Sequence, residues 1–230
     1  MSLAVAARDG RGEMLARVLP FARYIAALVV APALREVLPT GWDDRWLYAF
    51  QIVAVMLALA FFTRAYDELC PPALGGRAAL EAIGVGAAVF ALWIILDFPW
   101  ATLGEPGAGF DPRRAGGDID WMLAAVRLFG AAAVVPIMEE LFWRSFILRW
   151  IDKPDFLQLP AATISGRALV LSSILFGIEH NQWLAGILAG LAYGGLYMRS
   201  GTLWSPILAH AVTNLLLGLW VLTTGAWYFW

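Results

Sequence analysis

The chain reads as an all-α protein, a polytopic transmembrane helical bundle of about seven or eight helices. Three observations predict this. Of its 230 residues, 61% are hydrophobic and only 15% charged, with a mean hydropathy of +0.70, whereas a soluble domain is roughly 45–50% apolar and about 25% charged. The apolar residues gather into runs near the roughly 20 residues a helix needs to cross hydrocarbon. Stretches rich in Gly, Pro and Asp separate the runs, as loops do.

The first run, about 18–34, follows a polar start that carries Arg8, Asp9, Arg11 and Glu13 without an apolar core. Residues 1–17 therefore read as a cytoplasmic segment, and the run as a permanent first span in place of a cleaved signal peptide. Asp43-Asp44-Arg45 leads into a second span, 46–62, and the stretch from Pro71-Pro72 to Gly75-Gly76 into a third, 78–98. After the segment Gly104–Asp120 comes a long run, 121–151, which Pro136 should break. Whether it divides decides between seven and eight spans. The polar segment Asp152–Arg167 precedes the last three, 168–182, 183–198 and 203–222. With no internal repeat and this length, 1–230 forms a single integral-membrane domain.

Composition also excludes. A net charge of −2 with no basic tract gives no surface for nucleic acid. The single Cys70 rules out an intramolecular disulfide and any cysteine-rich zinc site. Basic residues favour the cytoplasmic side. With the N-terminus inside, ten of them (from Arg8 and Arg11 to Arg167 and Arg199) fall on that side and four on the other, while Arg127 and Arg144 lie within spans.

Ionisable side chains in hydrocarbon are costly and persist where they face a cavity and one another. Three spans carry such clusters: Glu139-Glu140 with Arg144, Glu179-His180-Asn181, and His210 with Asn214. At 1.5 Å per residue, Glu139 stands roughly 15 Å from Arg149, His180 roughly 20 Å from Arg167, and His210 roughly 16 Å from Arg199. The clusters thus share one depth, near the bilayer middle, and imply one buried site.

Residues four apart share a helix face and neighbours are turned by ~100°. Glu140 and Arg144 form such a pair, which leaves Glu139 free to face the reaction. A carboxylate of this kind suits a general base. Phe176 and His180 are likewise four apart, so the ring can fix the imidazole. His210 and Asn214 share a face as two donors that can stabilise an oxyanion. A glutamate and two histidines assembled from three helices could instead hold zinc, although no His-Glu-x-x-His helix is present. Ser172, Ser173 and Ser205 lack the Gly-x-Ser-x-Gly setting of a nucleophile.

Together these residues resemble the CPBP family of intramembrane proteases, which includes the CAAX prenyl endopeptidases and bacteriocin-processing relatives. Across about 121–222 its three motifs occur in order, as Glu139-Glu140…Arg144, Phe176…His180 and His210…Asn214. The resemblance implies an intramembrane endopeptidase with a glutamate mechanism and neither metal nor cofactor. Glu139 would activate water with the help of His180. His210 and Asn214 would stabilise the oxyanion, while Glu140, Arg144 and Phe176 orient the site. It implies a peptide or protein substrate reached from the lipid bilayer, and a multi-pass protein of the bacterial inner membrane.

The runs Phe176–Asn181, Leu203–His210 and Trp227–Trp230 are similar to a bacterial branch associated with exosortase systems. Relatedness to prenyl proteases does not make the substrate prenylated, because function belongs to the site. Two other readings use the same residues: a proton-coupled carrier with Glu139, His180 and His210 as a relay, and a catalytically silent binding scaffold.

Overall fold

The computed structural model describes residues 10–70, 74–104, 107 and 109–230. Arg8, Asp9 and the Pro71-Pro72 turn of the sequence reading lie outside the described residues. The described residues form seven long helices: α1 (Gly10–Val37), α2 (Leu47–Phe61), α3 (Gly76–Ile95), α4 (Trp121–Trp150), α5 (Gly166–Ile178), α6 (Trp183–Ser200) and α7 (Trp204–Thr224). Five of them, α1 to α4 and α7, are long and apolar enough to cross a membrane. Short 3₁₀ turns fill several connections, and a lone bridge between Arg113 and Ile119 is the only β pairing among the described residues.

Three elements differ from the sequence reading. Helix α1 starts at Gly10, about two turns before the expected Val18, because residues 10–17 have partners to bury against. Arg17 is 1% exposed and pairs with Glu13 at 3.0 Å and with Glu68 at 2.7 Å. Its Nε also donates to Ser145 Oγ of α4 at 2.8 Å. The described part of the segment read as a polar lead is thus a packed helical end.

Helix α4 is not broken at Pro136. A π turn at Gly130–Val134 widens the helix just ahead of the proline, so that Val135 N–H bonds the Gly130 carbonyl five residues back. In that register residue 136 would serve the Ala131 carbonyl, and proline has no N–H to give. Asn214 of α7 supplies the missing donor, its Nδ2 lying 2.8 Å from Ala131 O. The run therefore stays one helix, which makes seven long helices among the described residues. A second π turn, Leu141–Ile147, follows immediately after the two glutamates; such turns inside α-helices gather at functional sites.

The third difference lies in α5, which has 13 residues and ends at Ile178. Residues 179–182 form the turn into α6. Asn181 Nδ2 donates to Leu103 O at 2.6 Å and Leu103 N–H to Asn181 O at 2.7 Å. Gln182 Nε2 reaches Trp93 O at 3.1 Å. The polar run after His180 is a loop sewn to the segment that follows α3. At its start, α5 is capped by Ser165, whose hydroxyl accepts from Ala168 N–H, while Asp152 accepts from Ser165 N–H at 2.6 Å. Helices α5 and α6 meet through small residues. A Cβ on Gly190 would come within 2.8 Å of Ser173 Cα, so only glycine permits that approach.

Successive helices run up and down, giving the bundle two ends. One holds Glu68, Ser145 and Trp204; the other holds Leu103, Asn181 and the Trp227–Phe229 turn. Cys70 is free and exposed at the first end, next to Leu69, whose carbonyl accepts from Trp204 Nε1 at 3.3 Å. With the N-terminus inside, a membrane-impermeant maleimide should fail to label Cys70 in intact spheroplasts and should label it after permeabilisation. Labelling of intact spheroplasts would reverse the orientation.

Candidate active site

Residues of α1 and of α3 to α7 line a cavity of about 180 Å³. Glu139 enters it from α4, His180 from the α5–α6 turn, and His210 and Asn214 from α7. The three sequence clusters therefore converge, although they come from segments up to 75 residues apart.

Glu140 is the electrostatic hub. It is fully buried, and its Oε1 accepts from Arg144 Nη1 at 3.0 Å and from His210 Nδ1 at 2.9 Å. The Arg144 bond is the expected pair. The His210 bond was not foreseen, and it fixes the ring. With Nδ1 donating to Glu140, Nε2 is turned toward Glu139 Oε2, 4.0 Å away. That Glu139 oxygen is buried and has no hydrogen-bond partner. A separation of 4.0 Å is too long for a hydrogen bond and is of the size one bridging oxygen atom spans.

His180 is fixed in the same way. Its Nδ1 donates to Phe176 O at 2.7 Å, which leaves Nε2 as the remaining ring nitrogen. The contact between residues 176 and 180 survives although His180 lies past the end of α5, because the chain keeps turning through Glu179. The Phe176 ring lies 4.6 Å from the imidazole, and Trp93 of α3 meets the imidazole edge-on at 5.4 Å. The other side of the site is equally packed: the Arg144 guanidinium stands 4.4 Å from the Phe176 ring centre.

Sequence reasoning missed Tyr193, which stacks on His210 at 5.1 Å. Its hydroxyl donates to Thr213 Oγ1 at 2.6 Å, and Thr213 donates in turn to Gly86 O at 2.8 Å. A hydroxyl inside the otherwise apolar α6 was a signal for it. Trp93 and Tyr24 also line the cavity, and nothing in their local sequence marked them. Glu179, expected to point away from His180, accepts from Trp143 Nε1 at 3.0 Å. The serines lie elsewhere: Ser172 and Ser173 both donate back to Leu169 O within α5.

Asn214 does two things. One amide N–H holds the Ala131 carbonyl, a structural duty the sequence did not reveal, and the side chain still lines the cavity. Among the described residues, no group of three His, Cys, Asp or Glu side chains is placed to hold a metal ion.

Residues 121–216 match a family model described as Type II CAAX prenyl endopeptidase Rce1-like. The match begins with α4 and ends two residues beyond Asn214, so it contains all three motifs. The likeness covers 96 of the 230 residues of the chain. Comparison with curated proteins and with solved structures gives no match. The matched segment supplies Glu139, His180, His210 and Asn214, while α1 and α3, outside the match, close the cavity with Tyr24 and Trp93. The long apolar helices give the coarse identity, a multi-pass membrane protein, and the match adds a likeness to a peptidase family.

Proposed function

We propose that the protein is an intramembrane endopeptidase that cleaves a peptide bond with a water molecule activated by Glu139. The observation that carries this reading is the pairing of Glu139 Oε2, buried and unbonded, with His210 Nε2 4.0 Å away in a cavity shared with His180 and Asn214. A water between them can give its proton to Glu139 as its oxygen attacks the carbonyl carbon. His180, held through Nδ1, offers Nε2 as an acceptor to that water. The tetrahedral oxyanion needs donors. The Asn214 amide has a second N–H. His210 donates to the oxyanion from Nε2 in the imidazolium form, with the Nδ1–H still donated to Glu140 Oε1. Glu140, Arg144 and Phe176 orient these groups and take no part in bond making.

The scheme uses no metal; a zinc site would instead take Glu139, His180 and His210 as its ligands. The same proposal takes the substrate to be a membrane-associated or C-terminally sorted protein reached from the bilayer. It takes the protein to reside in the bacterial inner membrane with its N-terminus cytoplasmic. A link to an exosortase system is part of it and rests on the likeness of 176–181, 203–210 and 227–230 alone.

The test compares peptide termini in membranes from cells bearing the native protein and cells bearing Glu139→Ala. New termini should be present in the first and missing in the second, and should persist when native membranes are treated with a strong chelator. Identical termini in both would refute the peptidase reading. Loss on chelation with recovery on adding zinc would replace the water mechanism by a metal one.

A further inference from the structure

Of the charged side chains near the middle of the described helices, Glu139, Glu140 and Arg144 are buried, and Arg127 is half-buried against the Tyr48 ring. Arg23 is the exception. It stands midway along α1 and is exposed on the outside of the bundle. Among the described residues it has no hydrogen-bond or ion-pair partner. Its neighbour Tyr24 is turned about 100° away and lines the cavity of Glu139. An unpaired cation at this depth is costly unless it meets an anion or water.

Arg23 lines a groove of about 680 Å³ between α1 and α2. Small residues four apart on each helix, Ala22 and Ala26 on α1 and Ala54 and Ala58 on α2, leave the space. Phe50, Leu57 and Phe61 stand exposed along it. From Phe50 to Phe61 the groove follows α2 for about 17 Å of axial rise. One leaflet of hydrocarbon is about 15 Å deep, half the bilayer core. The Phe61 end of the groove adjoins the end of the bundle where Arg17 meets Glu68. Helical side chains lean toward the helix N-terminus, and α1 begins at that same end. The Arg23 guanidinium is therefore directed from mid-groove toward the membrane surface, as long basic side chains are.

We propose that this groove binds an anionic phospholipid, with one acyl chain along the alanines and the phosphate on Arg23. A guanidinium fork matches phosphate oxygens, and the leaflet supplies that group within reach of the side chain. Arg64, exposed three residues beyond Phe61, adds a second positive charge at the same end, which favours a headgroup of net negative charge. A second copy of the chain fits the charge less well. Among the described helices no exposed carboxylate lies away from a helix end, and Glu179, in the turn after α5, is held by Trp143 Nε1. The groove shares no lining residue with the cavity of Glu139 and stands apart from the peptidase reading.

Native mass spectrometry of the full-length protein in detergent tests this. Phosphatidylglycerol and phosphatidylcholine with identical acyl chains are titrated separately, and the fraction carrying one lipid gives each affinity. Phosphatidylglycerol should bind on the order of ten-fold more tightly, the size of a charge-assisted bond. Arg23→Met or, should it not fold, Arg23→Gln should bring the two lipids within about two-fold. Arg23→Lys, still a point charge for phosphate, should keep most of the difference. Ala54→Trp, which fills the groove, should weaken both lipids although Arg23 remains. Glycerol phosphate, a headgroup without chains, should not compete at equal concentration.

Equal affinity for the two lipids would overturn the proposal, as would an unchanged preference in an Arg23→Met protein that melts like the native form. Undiminished lipid binding by Ala54→Trp, or displacement of the lipid by glycerol phosphate, would do the same. A mass of two chains that replaces the lipid-bound form, and that Ala54→Trp abolishes, would make the groove an interface between copies instead. Peptide termini report on the peptidase reading and lipid retention on this site, so either can fail without the other.

Discussion

Glu139→Gln is expected to lower turnover by roughly 10²–10⁴, the share general-base catalysis contributes, while the protein unfolds at no lower temperature than the native form. The two halves of that expectation have one cause. The Glu139 carboxylate is 5% exposed, carries an oxygen without a hydrogen bond, and has Glu140 as its neighbour in the chain. A neutral amide of the same shape relieves the cost of a buried charge beside another of the same sign, so catalysis is lost without loss of stability. Steady-state turnover and a melting curve on the same detergent preparation check both. Full activity in the purified variant would remove Glu139 from its role. A variant that melts well below the native protein would make it a structural residue.

Arg144→Met should cost stability as well as activity. Arg144 is 2% exposed, bonds Glu140 at 3.0 Å and lies between the rings of Phe176 and Tyr193, at 4.4 and 5.3 Å. Removing it leaves the buried Glu140 with His210 as its one partner, and breaking a buried pair from one side costs about 3–5 kcal/mol. The melting temperature should fall clearly, and activity should fall with it, because Glu140, which anchors His210, loses its counter-charge. The double variant Arg144→Met, Glu140→Gln should regain part of the stability, because no lone charge remains, yet stay poorly active. If the double variant were no more stable than the single one, the loss would come from packing and not from the abandoned carboxylate.

The helical bundle was legible in the sequence because hydropathy and loop composition act over whole segments and tolerate local detail. The convergence of Glu139, His180, His210 and Asn214 was also legible, since polar groups in apolar runs need one another. Several features were not. The 3.6-residue periodicity makes Pro136 a break, and only the Ala131–Asn214 contact explains why α4 continues through it. The apolar stretch before His180 reads as a longer helix because the ties of Asn181 and Gln182 to Leu103 and Trp93 are made across the fold. The bond from His210 to Glu140 was hidden for the same reason. An i,i+4 rule sees Arg144 as the partner of Glu140 and cannot see a second one on α7.

The carbonyl at Ala131 and the amide at Asn214 have a consequence for how this protein can change. A proline in one helix creates a need that an asparagine 78 residues later fulfils. Restoring an N–H at position 136 would give Ala131 a second donor and free the Asn214 amide to turn elsewhere, while losing Asn214 would strand a carbonyl in the apolar interior. The two positions are therefore not independent sites of variation. A substitution at either one alters the meaning of the residue at the other, and the shape of the reaction chamber is inherited through the pair.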